Sequence, residues 1–288
     1  MPRELPHTCE IAILSMFSET NAAGASWTMA GVSKVDLNCD MGESFGVYTL
    51  GADAEMLKLV TTANVACGFH AGDPLVIDRT IRLALDAGVA VGAHPSFLDP
   101  WGFGRRPIQG EDPGDIERMV IYQIGAVRAL AEAAGHRLTH VKAHGSLGNM
   151  AAVDLDLALA CARAARAVDR DLILVVMPGM ETERAALQLG LRVAREVFAD
   201  RTYDDNGNLT SRKKPGAVLH DAEMAADRVL AMLEAQAITT VTGATIPARI
   251  DTICVHGDNP AAVEMARVIR ARLETQGIAI EPFSRTLR

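Results

Sequence analysis

From Lys34 onward the chain repeats one unit, a short apolar run followed by an amphipathic stretch of helical spacing, usually closed by a glycine. Parallel strands cannot be joined by a tight turn and need a crossover, so this alternation predicts βα units around a parallel sheet. Seven strands are expected: 35–40, 63–70, 89–96, 138–145, 172–179, 191–200 and 252–258. Between them, 74–88, 116–135, 154–168, 180–190, 222–236 and 259–277 carry helical spacing. No Gly-rich linker divides the series, which favours a single α/β barrel over residues 34–288, with an open doubly wound sheet as the alternative.

The residues that follow the strands carry the functional signal. Asn38, Asp40 and Glu43 follow the first; His70 and Asp73 the second; His94 and Ser96 the third; Lys142 and His144 the fourth. Glu196, Asp200 and Arg201 follow the sixth, and His256, Asp258 and Asn259 the seventh. In parallel α/β folds these strand ends converge on one face, where active sites are built. Asp73 before Pro74 and Asp258 before Asn259-Pro260 also fit helix caps, the ordinary use of such residues.

Histidines among carboxylates suit proton transfer near neutral pH and also suit a divalent metal, for which Asp40, His70 and His94 are the candidates. No HExxH motif occurs, so such a site would be assembled from separate strands. Lys142 and His144 are two residues apart and share a strand face, which aims Lys142 into a barrel mouth as fixed charge for a phosphate or oxyanion. Arg105 and Arg106 in "PWGFGRRPI" are expected over the same face. The glycine-rich stretches "GFHAG" and "AHGSLGN" read as loops able to approach an anion, and 201–217, with its "DDNG" turn, as a lid or partner contact.

Composition removes other classes of function. A formal charge of −8 provides no basic field for nucleic acid. The longest apolar runs, such as "LILVVM", fall far short of the roughly 18 residues of a membrane span. Five cysteines without CxxC spacing argue against a disulfide framework and point to a reducing cytoplasm. Residues 1–33 resemble a signal peptide only weakly, since the apolar segment is short and broken by Ser15. They are read as a poorly ordered extension, with Met29 as an alternative start.

The motifs "DLNCDMGESFG", "NVACGFHAGDP", "GAHPSF", "GFGRR", "YQIGA", "EVFADRTYDDNGNL" and "CVHGDNP" together resemble the LamB/YcsF family in collinear order from about residue 34 to residue 285. That resemblance implies a distorted (β/α) barrel related to glycoside hydrolases and deacetylases. It implies cleavage of the 5-oxoproline lactam to L-glutamate coupled to hydrolysis of ATP, with Mg, in complex with two further subunits, B and C. The expected catalytic residues are Asp40, Glu43, His70, His94, Lys142 and His144. The expected substrate- or phosphate-binding residues are Asn38, Asn64, Asp73, Arg105, Arg106, Asn149, Glu196, His256 and Asp258. The rival readings are a metal-dependent hydrolase or deacetylase acting alone and a non-catalytic accessory protein of the complex. One motif departs from the family, which usually has Lys-Pro-His-Gly-Ala-Leu-Tyr-Asn where this chain has "KAHGSLGN". Gly148 in place of the tyrosine removes a ring able to pack on substrate or donate a hydrogen bond.

Overall fold

The structure is a computed structural model that describes residues 32–257 and 261–287. The inner strands are β1 (Lys34–Met41), β2 (Thr62–Ala66), β3 (Ala90–His94), β4 (Leu138–Lys142), β5 (Ile173–Val176) and β6 (Val193–Phe198). A hairpin of β7 (Ala237–Thr239) and β8 (Thr245–Pro247) precedes β9 (Thr252–Cys254) and the two-residue β10 (Ala279–Ile280). The helices are α1 (Asp53–Met56), α2 (Pro74–Asp86), α3 (Pro113–Ala133), α4 (Gly145–Ala151) and α5 (Leu155–Val168). They continue with α6 (Glu181–Gln188), α7 (Ala222–Ala235), α8 (Ala261–Thr275) and α9 (Phe283–Thr286).

All seven expected strands form, and their pairing is parallel throughout. Because β1 pairs with both β2 and β9, the sheet closes on itself as a seven-stranded barrel, which overturns the open-sheet alternative. Short β10 extends the start of β1 through Lys34↔Ala279 and Val35↔Ile280. Several strands end earlier than the apolar runs suggest. β2 stops at Ala66, where the chain turns through Gly68 (φ +92°) into the mouth loop. "AHGSLGN", expected as a loop, opens helix α4 instead, whose first turn is tied to the loop after β3 where Ser146 N–H donates to Gly104 O.

Strand β1 alternates two kinds of residue, so its two faces differ. Val35, Leu37, Cys39 and Met41 are buried in the main apolar core. Asp36, Asn38 and Asp40 take the opposite face and meet polar side chains of neighbouring strands. The barrel interior is therefore polar along this wall, where many such barrels are filled by branched apolar residues. Gly92 permits the middle layer, because a Cβ there would collide with the His140 ring.

Outside, Asp73, Asp112, Asp154 and Asp221 cap α2, α3, α5 and α7 by accepting from backbone N–H groups of the first turn. No helix among the described residues is long and apolar enough to cross a membrane.

Candidate active site

At the C-terminal end of the barrel, four strands bring charged side chains together below the mouth. Lys142 Nζ, from β4, lies 3.0 Å from Asp40 Oδ1 and 2.8 Å from Glu196 Oε1, with Cys254 Sγ at 3.2 Å. All four residues are buried. Burial by itself would depress the Lys142 ammonium, but Asp40, Cys254 and Glu196 outweigh it and hold the lysine well above its usual range. Burial pushes Asp40 the opposite way, yet His94 and Lys142 keep its carboxyl well below the ordinary value. Lys142, expected as fixed positive charge in the barrel mouth, shares that charge with two carboxylates.

A second layer fixes this floor from beneath. Asn64 Nδ2 donates to Asp40 Oδ1 at 2.9 Å and to Asn38 Oδ1 at 2.8 Å, while His140 Nε2 meets Asn64 Oδ1 at 2.9 Å. Burial pushes His140 down to about 3, so its ring is neutral at physiological pH. Of the two asparagines expected to bind substrate, Asn64 holds Asp40 from below and Asn38 accepts from Asn64 beneath it.

On one shoulder stand three histidines and Glu43. His94 Nε2 lies 3.2 Å from Asp40 Oδ2 and 3.0 Å from His144 Nδ1. The His70 and His144 rings stack with centroids 3.7 Å apart, and His70 Nε2 reaches Glu43 Oε1 at 3.2 Å. Burial holds both His70 and His144 well below the usual histidine range. The backbone of Gly104 (φ +62°) closes over them, because a Cβ there would lie 2.8 Å from His144 Cδ2 and 2.9 Å from His70 Cβ.

The opposite wall carries His256, whose Nδ1 lies 2.8 Å from both Asp200 oxygens. With Nδ1–H donated to Asp200, Nε2 accepts from Arg212 Nη2 at 3.2 Å. Arg212 belongs to the expected lid, which forms two antiparallel bridges, Arg201↔Val218 and Tyr203↔Leu209, around its turn. Arg201 braces it from beneath by donating to Thr210 O at 2.6 Å, and burial lowers its guanidinium to about 10. Floor, histidine shoulder and lid enclose a cavity of about 520 Å³, with Arg105, Arg201, Arg212 and Lys213 among its lining residues.

Of the expected residues, Asp40, His94, Arg105, Lys142, His144, Asn149, Glu196 and His256 line this cavity. Glu43 and His70 stand behind His144. Asp73 is excluded from it: its carboxylate accepts from the N–H groups of Gly46, Leu75 and Val76, so the capping use has won. Arg106 is turned aside by an ion pair with buried Asp99, and only Arg105 faces inward. Asp258 lies outside the described residues. For a metal, the structure joins Asp40 and His94 with His144 rather than with His70. Arg212, Lys213, Thr182 and Cys254 are cavity or floor residues that sequence reasoning did not select. The lid reading was the one signal that pointed to Arg212 and Lys213. Gly148 also lines the cavity, and a Cβ there would lie 2.7 Å from the backbone oxygen of Ala143.

Comparison with known proteins covers nearly all of this body. Residues 35–288 match the LamB/YcsF family. The chain is 53% identical over 253 residues to the 5-oxoprolinase A subunit of Rhodopseudomonas palustris, covering 88% of this chain and 100% of that one. Its identity to the 5-oxoprolinase A subunit of Gluconobacter oxydans is 53% over 250 residues, covering 87% and 98%. Among solved structures, the lactam utilization protein of Thermus thermophilus superposes with a TM-score of 0.81 at 45% identity, over 86% of this chain and 99% of that one. A protein of Enterococcus faecalis named for cellobiose-phosphate cleavage shares the fold at a TM-score of 0.54 and 13% identity, over 89% and 100%.

Proposed function

Because this chain belongs to the LamB/YcsF family, we propose that its barrel mouth is the site at which a 5-oxoprolinase opens the lactam of 5-oxoproline to L-glutamate. Relatives at 53% identity over most of the chain bear the name of that enzyme's A subunit. The observation that carries the reading is the pairing of a buried ionic floor, Asp40, Lys142 and Glu196, with a rim that includes Arg105, Arg201, Arg212 and Lys213 around one cavity. A small anionic lactam matches this arrangement, since guanidinium forks receive carboxylate oxygens and the floor supplies charge where the ring opens.

A five-membered lactam is a stable amide. In this reading the carbonyl oxygen would take the terminal phosphoryl group of ATP, with ADP released; one water adds at the same carbon, the C–N bond breaks as the leaving nitrogen takes a proton, and a second water hydrolyses the resulting acyl phosphate to L-glutamate and phosphate. The residues have separable parts in that sequence. Asp40, kept ionised by His94 and Lys142, orients water or the developing ammonium. His256, held by Asp200 through Nδ1, accepts from Arg212 at Nε2 and so holds that guanidinium toward the cavity on the facing wall. Lys142 stabilises negative charge that arises close to the floor. The relatives are named as one member of a lettered set, which implies partners, and subunits B and C are the proposed ones. Residues 34–288 are proposed as the single catalytic domain, with 1–33 outside it.

The test is glutamate release from 5-oxoproline and ATP by this chain alone, with subunits B and C, and with Asp40→Ala in the same mixture. Release by the full mixture that falls at least about 100-fold with Asp40→Ala is the expected result. Full turnover by Asp40→Ala would sink the floor as the reactive site. No release in any mixture, when the same B and C preparations are active with a relative's chain in place of this one, would sink the substrate.

A further inference from the structure

Two main-chain carbonyls decide how the shoulder histidines are protonated. Lys142 O accepts from His94 Nδ1 at 2.7 Å, and Phe103 O accepts from His144 Nε2 at 2.8 Å. A carbonyl oxygen only accepts, so each of these nitrogens carries its hydrogen. With the outward nitrogens used in this way, the inward nitrogens His94 Nε2 and His144 Nδ1 face each other across 3.0 Å. Asp40 Oδ2 adds a third electron-rich atom 3.2 Å from His94 Nε2, while Asp40 Oδ1 is occupied by Lys142 and Asn64. Three buried acceptors converging in this way repel one another unless a cation lies among them.

We propose that Asp40 Oδ2, His94 Nε2 and His144 Nδ1 form a binding site for one divalent first-row transition metal at the wall of the cavity. Ligand bonds of about 2.0–2.1 Å in a tetrahedral site place neighbouring donors roughly 3.3 Å apart, close to the 3.2 and 3.0 Å at which His94 Nε2 already stands from Asp40 Oδ2 and His144 Nδ1, and all three lie within 4.8 Å of one another. The outward nitrogens complete the pattern, since metal-binding histidines ordinarily donate their second N–H to a carbonyl or carboxylate that fixes the ring. Glu43 Oε1, 3.7 Å from His144 Nδ1, is the adjacent carboxylate, and it also holds His70. Two imidazoles with carboxylate suit Zn²⁺, Co²⁺ or Fe²⁺ better than Mg²⁺ or Ca²⁺, which favour all-oxygen sites. All three ligand residues line the cavity, so an ion held there keeps a coordination position toward it.

A second group in the same mouth, Asp40, Cys254 and His256, is a weaker candidate. The Lys142 ammonium already lies on both Asp40 Oδ1 and Cys254 Sγ, and a divalent ion there would stand against a fixed positive charge. The shoulder site does not depend on the identity of the lactam, of ATP or of the partner subunits.

The experiment strips the full-length chain with a chelator and titrates it with Co²⁺, read by visible absorption, and with Zn²⁺, read by calorimetry. One equivalent of Co²⁺ with the intense visible bands of a low-coordinate centre is expected. His94→Gln and His144→Gln are expected to weaken binding by more than about 100-fold, with His256→Gln leaving it unchanged. Should the shoulder variants fail to fold, anomalous scattering from Co²⁺ in wild-type crystals locates the ion directly. Absence of stoichiometric Co²⁺ in the wild type, a peak away from His94 and His144, or equal loss in His256→Gln would overturn the proposal. The cation in this gap would then be a shared proton.

Discussion

Asp36 and Asp40 stand on one strand, on the same inward face, four residues and about 13 Å apart, and both are buried. Their chemistry is opposite. Asp36, near the N-terminal end of the barrel, accepts from the hydroxyls of Thr61, Thr62 and Thr252, and burial pushes its carboxyl up to about 6 despite them. Asp40 is also buried, but the His94 ring and the Lys142 ammonium beside it hold its carboxyl well below the ordinary range. The pair shows that neutral hydrogen bonds can satisfy a buried carboxyl without keeping it ionised at low cost, whereas a neighbouring cation can do both. The lower end of the barrel is built for structure and the upper end for charge.

The strongest way to break this contrast is to remove the cation. Lys142→Met leaves Asp40 and Glu196 buried without their ammonium. It is expected to cost about 3–5 kcal/mol in urea unfolding and to abolish glutamate release by the assembled complex. A variant as stable as wild type would show that the upper carboxylates do not depend on Lys142.

The next effect belongs to the lower end. Between the ordinary carboxylate value of 3.8 and the folded value of about 6, the folded protein keeps a proton on Asp36 that the unfolded chain has lost. Its stabilising contribution is therefore complete below the lower value and falls as pH rises through the window. The loss is on the order of 2–3 kcal/mol. Asp36→Asn should remove that slope, measured as the difference from wild type in unfolding free energy between pH 4 and pH 7. An unchanged difference would remove the contrast with Asp40.

The middle layer sharpens the comparison because it touches the upper carboxylate directly through Asn64 and reaches Asp36 only through Asn38 and Thr252. Gly92→Ala drives a methyl group into the His140 ring, which meets Asn64 Oδ1 at 2.9 Å. A loss of about 1–3 kcal/mol is expected, with turnover reduced and the Asp36 pH slope retained. The smallest effect belongs to Asp73 at the rim. Asp73→Ala should cost about 1 kcal/mol in melting experiments, as capping residues do, with turnover per folded molecule unchanged. A large loss of turnover would restore it to the site.

The fold was legible to an unusual degree, since seven apolar runs of strand length alternate with stretches of helical spacing and each is a local signal. The site was legible in part. Strand-end position was enough to select Asp40, His94, Lys142, His144, Glu196 and His256, because parallel strands deliver their C-terminal ends to one face. The same rule also selected Asp73, whose cap competes with any role in the cavity, and it could not separate Arg105 from Arg106. Arg212 and Lys213 lie well beyond the end of β6, and only the folded lid carries them back over the mouth.

Residue order by itself determined the seven barrel strands, the longer helices between them and the family, because periodicity, caps and motifs act within a few neighbouring residues. Tertiary structure alone decided that the sheet closes through β1 and β9, and that Asp36 remains among hydroxyls while Asp40 meets a lysine and a histidine. Those outcomes depend on register between strands up to about 200 residues apart in sequence. The charge state of a buried group depends on what lies within a few ångströms of it in space, and sequence neighbours do not determine that.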